Sequence, residues 1–138
     1  MIIAKCAVTD AADAPNFRQD VDCGKHRFIA DEHAVLGGKD TGPSPFDYLL
    51  AALGACTSIT LRMYAQRKGW DIGKVSVTLS MLQDDAKAKS IERHVTLSGA
   101  LTDEQRQRLA EICERTPVTL AVKAGVALKT MLTAAGNV

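Results

Sequence analysis

The hydrophobic pattern of this chain is dominated by one run, Phe46 to Met63, in which nearly every position is apolar or small. Leu49, Leu53, Cys56, Thr60 and Met63 recur at spacings of four, three, four and three, the period of a helix. Ala51, Ala55 and Ser58 form a second stripe of small side chains against which another backbone can pack closely. Ser44 is a good N-cap, and Pro45 suits the first helical position, where its missing N–H costs nothing. Asp47, three residues past the cap, can reach back to the exposed N–H groups. Charges arrive only at Arg62, Arg67 and Lys68, after which Gly69 can close the helix. The pattern predicts a central helix, buried over its first four turns, with Cys56 inside the protein or at an interface.

Upstream, Ile2, Ala4, Cys6 and Val8 alternate as in a strand over 2–9. Asp10 to Asn16 reads as a polar link containing Pro15. A second strand is expected over Phe17–Asp22, with Phe17 and Val21 inward. Cys23-Gly24-Lys25 then makes a tight turn into a third strand in which His26, Phe28 and Ala30 oppose Arg27 and Ile29, a hairpin. Asp31 to Pro45 is loop, with Gly37-Gly38 and Gly42-Pro43. Downstream, Val75, Val77, Leu79 and Met81 alternate with Ser76, Thr78 and Ser80, and Ile91, Arg93, Val95 and Leu97 share one side of a following strand. Thr102-Asp103-Glu104-Gln105 is a capping box opening a helix along Leu109, Ile112 and Cys113. Pro117 stops or bends it, Val118–Ala124 allows another turn or two, and Val126–Leu132 is expected to be a last strand. The order predicts an α+β fold in one domain, 1–138, with an antiparallel or mixed sheet on a long central helix. So apolar a helix needs more cover than one small sheet, most economically a second copy of the chain.

Composition narrows the function. Seventeen basic and sixteen acidic side chains leave a formal charge of +1, which gives no electrostatic case for nucleic acid or an anionic membrane. The first residues lack a basic, then apolar, leader, and no stretch reaches the ~20 apolar residues of a membrane span. A cytoplasmic protein is expected. The four cysteines, at 6, 23, 56 and 113, form no CxxC pair and no metal-ligand spacing with the three histidines, so reduced thiols are the default and no metal or cofactor is implied.

Cys56 leads the candidates for chemistry. As a buried cysteine it can be simply a small hydrophobe. As a nucleophile it needs a cation or hydrogen-bond donors to lower a thiol pKa of ~8.5, and Arg18 or Arg27 on the first hairpin can supply the charge. Arg62, six residues along, faces roughly the other side of the helix. Cys113 lies on the face of Leu109 and Ile112 and reads first as core, as Cys6 and Cys23 read as structural. Asp47 is explained by capping. The glycine loop resembles an anion cradle, but neither a P-loop nor GxGxxG is present. His33, Asp40 and Asp47 show no dyad or triad spacing, and Trp70 reads as a packed lid on the helix end.

The segment GGKDTGPSPFDYLLAALGACTSITLRMYAQRKGW closely resembles the core signature of the OsmC/Ohr superfamily, the osmotically inducible and organic hydroperoxide resistance proteins. The ADE turn before it, and LSGALTDEQRQRLAEI leading to a Pro-Val turn after it, match in order. The resemblance implies an intertwined homodimer with two active sites near the subunit interface. It implies a helix cysteine, matched by Cys56, whose thiolate attacks the O–O bond of a hydroperoxide and becomes a sulfenic acid. A second cysteine, in a Cys-Pro motif, then closes a disulfide that an external dithiol reopens. An N-terminal arginine and a glutamate at the start of the helix hold the thiolate.

Two of these features depart from the pattern. Cys-Pro-Val reads Thr116-Pro117-Val118 here, so the resolving cysteine is missing from its place. Cys113 lies one turn earlier, roughly 4.5 Å of rise, and substitutes only if the Cα atoms come within ~7 Å. Phe46 stands where many members carry the acid, with Asp47 beside it, turned by about 100°. The N-terminal arginine is assigned to Arg18, with Arg27 behind it. The sequence therefore points to a thiol-dependent peroxidase with Cys56, Cys113, Arg18 and Asp47 as its site. The competing reading is a weakly catalytic or non-catalytic module that binds small apolar ligands or senses peroxide.

Overall fold

A computed structural model of the chain describes residues 1–11, 13 and 16–135, so Ala12, Ala14 and Pro15 of the expected link lie outside the described residues. The elements are strands β1 (Cys6–Asp10), β2 (Gln19–Cys23) and β3 (His26–Ala30), a 3₁₀ turn (Ala34–Leu36), helix α1 (Pro45–Lys68), strands β4 (Val75–Gln83) and β5 (Lys89–Leu97), and helices α2 (Asp103–Cys113) and α3 (Pro117–Ala124). This is an α+β fold of antiparallel sheets on a long helix. The chain divides into two compact units, residues 1–54 with 78–94 and residues 55–77 with 95–138, and α1 and the β4–β5 hairpin each contribute to both.

In the first unit, β1, β2 and β3 form a meander in that order. The β2–β3 turn puts Gly24 at φ +61°, which glycine adopts at no steric cost. Its register lines up Val8, Val21 and Phe28 across the sheet. Val21 is buried, and Phe28 packs on Tyr48 of α1 with ring centroids 5.2 Å apart. The Tyr48 hydroxyl donates to the Ile29 carbonyl. β1 is shorter than the alternation predicts, because β2 ends at the hairpin turn and leaves Ile2 and Ala4 no partner strand. Phe17 corrects a second expectation: it precedes β2, half exposed, with its ring against Gly37.

The register also sets Cys6 directly opposite Cys23, with Cα atoms 4.3 Å apart, and the two form a disulfide. Four reduced thiols are therefore not what the fold holds. On the chain-entropy account, closing a loop of this length contributes about 3 kcal/mol.

The loop from β3 to α1 is folded around Asp31, which is 2 % exposed. Its carboxylate accepts from the Thr41 hydroxyl (2.6 Å), the Thr41 amide (3.0 Å) and the Glu32 amide (2.7 Å). Gly38 is required for a different reason from the anion cradle it resembles. A Cβ there would stand 2.0 Å from the Glu32 carbonyl oxygen, so the loop closes directly on its own backbone. The Thr41 hydroxyl and amide, in that order, hold the Asp31 carboxyl down to about 2 from 3.8. Its folded value lies below its unfolded one, so the stabilisation is fully present above about pH 4 and is lost as pH falls through about 2. Urea denaturation of wild type and Asp31→Asn is expected to show a stability gap at pH 6 that narrows between pH 4 and 2. A gap that stays constant over that range would refute this role for the carboxylate.

In the second unit, Leu61 and Ala65 of α1 pack with Ile72 and Leu109 as a fully buried cluster, edged by Tyr64, Trp70, Val95, Leu101 and Ile112. Ile72 lies between elements, in the short segment joining α1 to β4. Trp70 meets Tyr64 edge-on at 5.6 Å, closing the helix end as a lid. Thr102 and Gln105 make the expected reciprocal capping box at the start of α2.

Within the single chain, α1 corrects the expectation of burial over its first four turns. Its buried positions are Leu53, Gly54, Thr57, Leu61 and Ala65, so one i, i+4 row faces inward. Ile59 and Met63 are 58 % and 54 % exposed, and Phe46 and Leu49 are also exposed. By length and composition alone α1 is long and apolar enough to cross a membrane, as core helices of soluble proteins also are. The expected last strand over 126–132 is absent as well: no regular structure follows α3 among the described residues, and Val126, Leu128 and Leu132 are exposed. Its alternation finds no sheet edge within its own chain.

Candidate active site

Cys56 sits mid-way along α1, half-buried and outside the disulfide. It follows Leu49 and precedes Met63 by seven residues each, two helical turns, on the exposed apolar side of α1. Its sulfur lies 4.0 Å from the Thr60 hydroxyl one turn on. On its other side the backbone N–H of Val118 donates to the sulfur, N to Sγ 3.5 Å.

That donor is the product of a local sequence device. Thr116 is the N-cap of α3 and Pro117 its first residue, so Val118 carries one of the first helical N–H groups, which have no partner inside the helix. The Thr116 side chain, fully buried, accepts from the Thr119 amide at 3.3 Å and lies 2.6 Å from the Thr119 hydroxyl. That leaves the neighbouring Val118 N–H for Cys56. The residue at the place of a resolving cysteine is thus the capping threonine of the helix that contacts Cys56.

Cys113 ends α2, half-buried and packed beside the Leu61–Leu109 cluster, as its helical face predicts. Its carbonyl accepts from the Thr119 hydroxyl at 3.3 Å. Consecutive residues of α3, Val118 and Thr119, therefore contact Cys56 and Cys113 respectively. Sequence reading sees Pro117 as a helix stop and does not see the donor behind it. The signal was present: Thr116-Pro117 repeats the cap-and-first-residue pair of Ser44-Pro45.

The other two predicted residues lie in the first unit. Asp47 completes a capping box with Ser44, accepting from its amide at 2.9 Å while the Asp47 amide donates to the Ser44 hydroxyl at 3.2 Å. The Ser44 amide first, and the Ser44 hydroxyl second, hold its carboxyl below the ordinary range. His33, in the preceding loop, lies 3.5 Å from both Asp47 and Asp40 through its two ring nitrogens, a grouping that spacing alone does not reveal. All three side chains are about half exposed or more.

Arg18 stands just before β2 and lines a cleft of about 460 Å³ with Thr9, Asp20, Asp22, Arg27 and Ile29. Its Nε is buried without a hydrogen-bond partner among the described residues. Arg27, the second choice, is exposed and paired with Asp22 at 2.7 Å. Arg62 donates to the Gly73 carbonyl, away from the thiol. Among the described residues no group of three or more His, Cys, Asp or Glu side chains is placed to hold a metal ion.

Residues 38–131 match the family model described as OsmC-like protein. No protein of curated function matches the sequence significantly. Among solved structures, the chain is similar to an OsmC-like protein from Mycoplasma pneumoniae, at 14 % identity and TM-score 0.73, covering 88 % of each chain. It is also similar to an organic hydroperoxide resistance protein from Elizabethkingia anophelis, at 20 % identity and TM-score 0.67, covering 91 % of each. The organic hydroperoxide resistance protein OhrB of Bacillus subtilis aligns at 20 % identity and TM-score 0.60, over 90 % of this chain and 93 % of that one. At these identities the structural likenesses establish the fold.

Proposed function

The chain belongs to the OsmC family, and from that premise we propose that it is a thiol-dependent peroxidase that reduces organic hydroperoxides at Cys56. The observation that carries this reading is the Val118 N–H directed at the Cys56 sulfur from the N-terminus of α3. An N–H donor at a helix N-terminus favours negative charge on the atom it faces. In the reaction, the Cys56 thiolate attacks one oxygen of ROOH and the O–O bond breaks. The leaving alkoxide takes a proton as ROH, and sulfur is oxidised to the sulfenic acid.

Cys113 is the proposed resolving thiol: attack on the sulfenic acid would release water and form a Cys56–Cys113 disulfide. What supports it is that adjacent residues of one short helix reach the Cys56 sulfur, through the Val118 N–H, and the backbone carbonyl of Cys113, through the Thr119 hydroxyl. An external dithiol would return the pair to thiols. Arg18 is proposed as the cation that steadies the thiolate, supported by its buried, unpartnered Nε. Asp47 is proposed as a positioning residue that holds the start of α1. The test is hydroperoxide consumption with a dithiol by wild type and Cys56→Ser, with peptide mapping of the oxidised sulfur. No oxidation at Cys56 would sink the enzyme reading in favour of a binding module on the same fold.

We further propose that the working unit is an intertwined homodimer. The exposed apolar side of α1 and the unpaired alternation of 126–132 support it, since a second copy would cover the one and pair the other. Light scattering in detergent-free buffer is expected to give twice the 14.8 kDa chain mass. A monomer would overturn the proposal.

A further inference from the structure

We infer that Cys6–Cys23 is a second redox site, a thiol–disulfide exchange site that a dithiol opens in the folded protein and whose opening releases β1. Three observations carry this. First, the bond is accessible: Cys6 is exposed and Cys23 only half-buried, and exposed disulfides are the reducible ones. Second, β1 has little else to hold it. All five of its residues are exposed, and among the described residues it is an edge strand whose ladder partner is β2.

Third, the disulfide is placed where it decides whether the strand stays docked. At one end the β1–β2 pair is tied by the connecting chain, with the Ala11 amide donating to the Arg18 carbonyl (3.1 Å) and Gln19 Nε2 to the Asp10 carboxylate (2.8 Å). At the other end the Cys6–Cys23 rung is the last, since residues 1–5 form no strand. The bond is thus a staple across the open end of the ladder. β2 stays anchored without it, through β3 and the burial of Val21.

The exchange balances with a dithiol as the only co-reactant. Its thiolate attacks the sulfur of the exposed Cys6, the Cys6–Cys23 bond breaks, and Cys23 leaves as a thiolate that takes a proton. The second thiol of the reductant then attacks its own sulfur in the mixed disulfide and frees Cys6. Two electrons and two protons pass to the protein, and the dithiol becomes a disulfide. Lys5 and Lys25 flank the pair in sequence, and positive charge favours thiolates as attacking and leaving groups.

The test uses the full chain carrying Cys56→Ser and Cys113→Ser, incubated with dithiothreitol in native buffer and trapped with iodoacetamide. Two labels, on Cys6 and Cys23, are expected without denaturant. Amide hydrogen exchange over residues 7–10 is expected to accelerate at least about 10-fold, with β3 unchanged. If the double variant fails to fold, peptide mapping of labelled wild type gives the same readout. Labelling only in denaturant would overturn the exchange site, and labelling with unchanged exchange in β1 would overturn the release. Neither result bears on which sulfur reacts with hydroperoxide, because Cys6 and Cys23 take no part in that step.

Discussion

Cys56→Ser is expected to lower kcat/KM for dithiol-driven reduction of cumene hydroperoxide by at least about 10³-fold, while leaving the thermal unfolding of the protein nearly unchanged. The size of the effect follows from the chemistry. A serine hydroxyl occupies the same space on α1 and can still accept the Val118 N–H, but it does not displace alkoxide from an O–O bond near neutral pH. Cys113→Ser should separate the two halves of the cycle. The first oxidation should proceed at the wild-type rate. The sulfenic acid at Cys56, with no thiol to close on, should then wait for the external reductant or advance to sulfinic acid under excess peroxide. Cys56→Ser retaining wild-type turnover would move the reaction to another sulfur and end the assignment. Cys113→Ser keeping full turnover would leave Cys56 working alone.

Much of this arrangement is legible in the sequence, and what is not has physical causes. The start and stop of α1 are local: Ser44, Pro45 and Asp47 act on the backbone within three residues, and Gly69 likewise at the far end. The hairpin around Gly24 and the capping box at Thr102 are legible for the same reason. The inward side of α1 is not. Alanine, glycine, serine and threonine make the helix acceptable to a core on almost any side, so its periodicity carries no direction, and Thr57 is buried while Ile59 is not. The Cys6–Cys23 bond depends on the register between two strands that sets cysteines 17 residues apart opposite each other, which no local signal fixes. The contact of His33 with Asp40 and Asp47 likewise needs the loop closed over Asp31 and Gly38. The donor at Cys56 needed two helices brought together, although the Thr116-Pro117 pair that creates it was in plain view.

Leu61→Ala is the structural substitution with the largest expected effect, a loss of about 3–5 kcal/mol in urea unfolding. Leu61 is 0 % exposed, as is Ile72, and with Ala65 and Leu109 they close the core of the second unit, so removing its isobutyl group leaves a cavity that rigid helical backbone cannot collapse to fill. Met63, two residues on, is the internal control. It is of similar size but 54 % exposed on the other side of the helix, so Met63→Ala should cost the single chain less than about 1 kcal/mol. If a second copy covers that side, Met63→Ala should instead appear as weaker self-association by light scattering, an effect that dilution magnifies. The pair therefore reads the two sides of α1 separately: intrachain packing through Leu61, and whatever covers the exposed apolar side through Met63. Equal costs, both independent of protein concentration, would mean that the Met63 side is buried within the chain in solution, and that the i, i+4 row from Leu53 to Ala65 is not the whole of its inward contact.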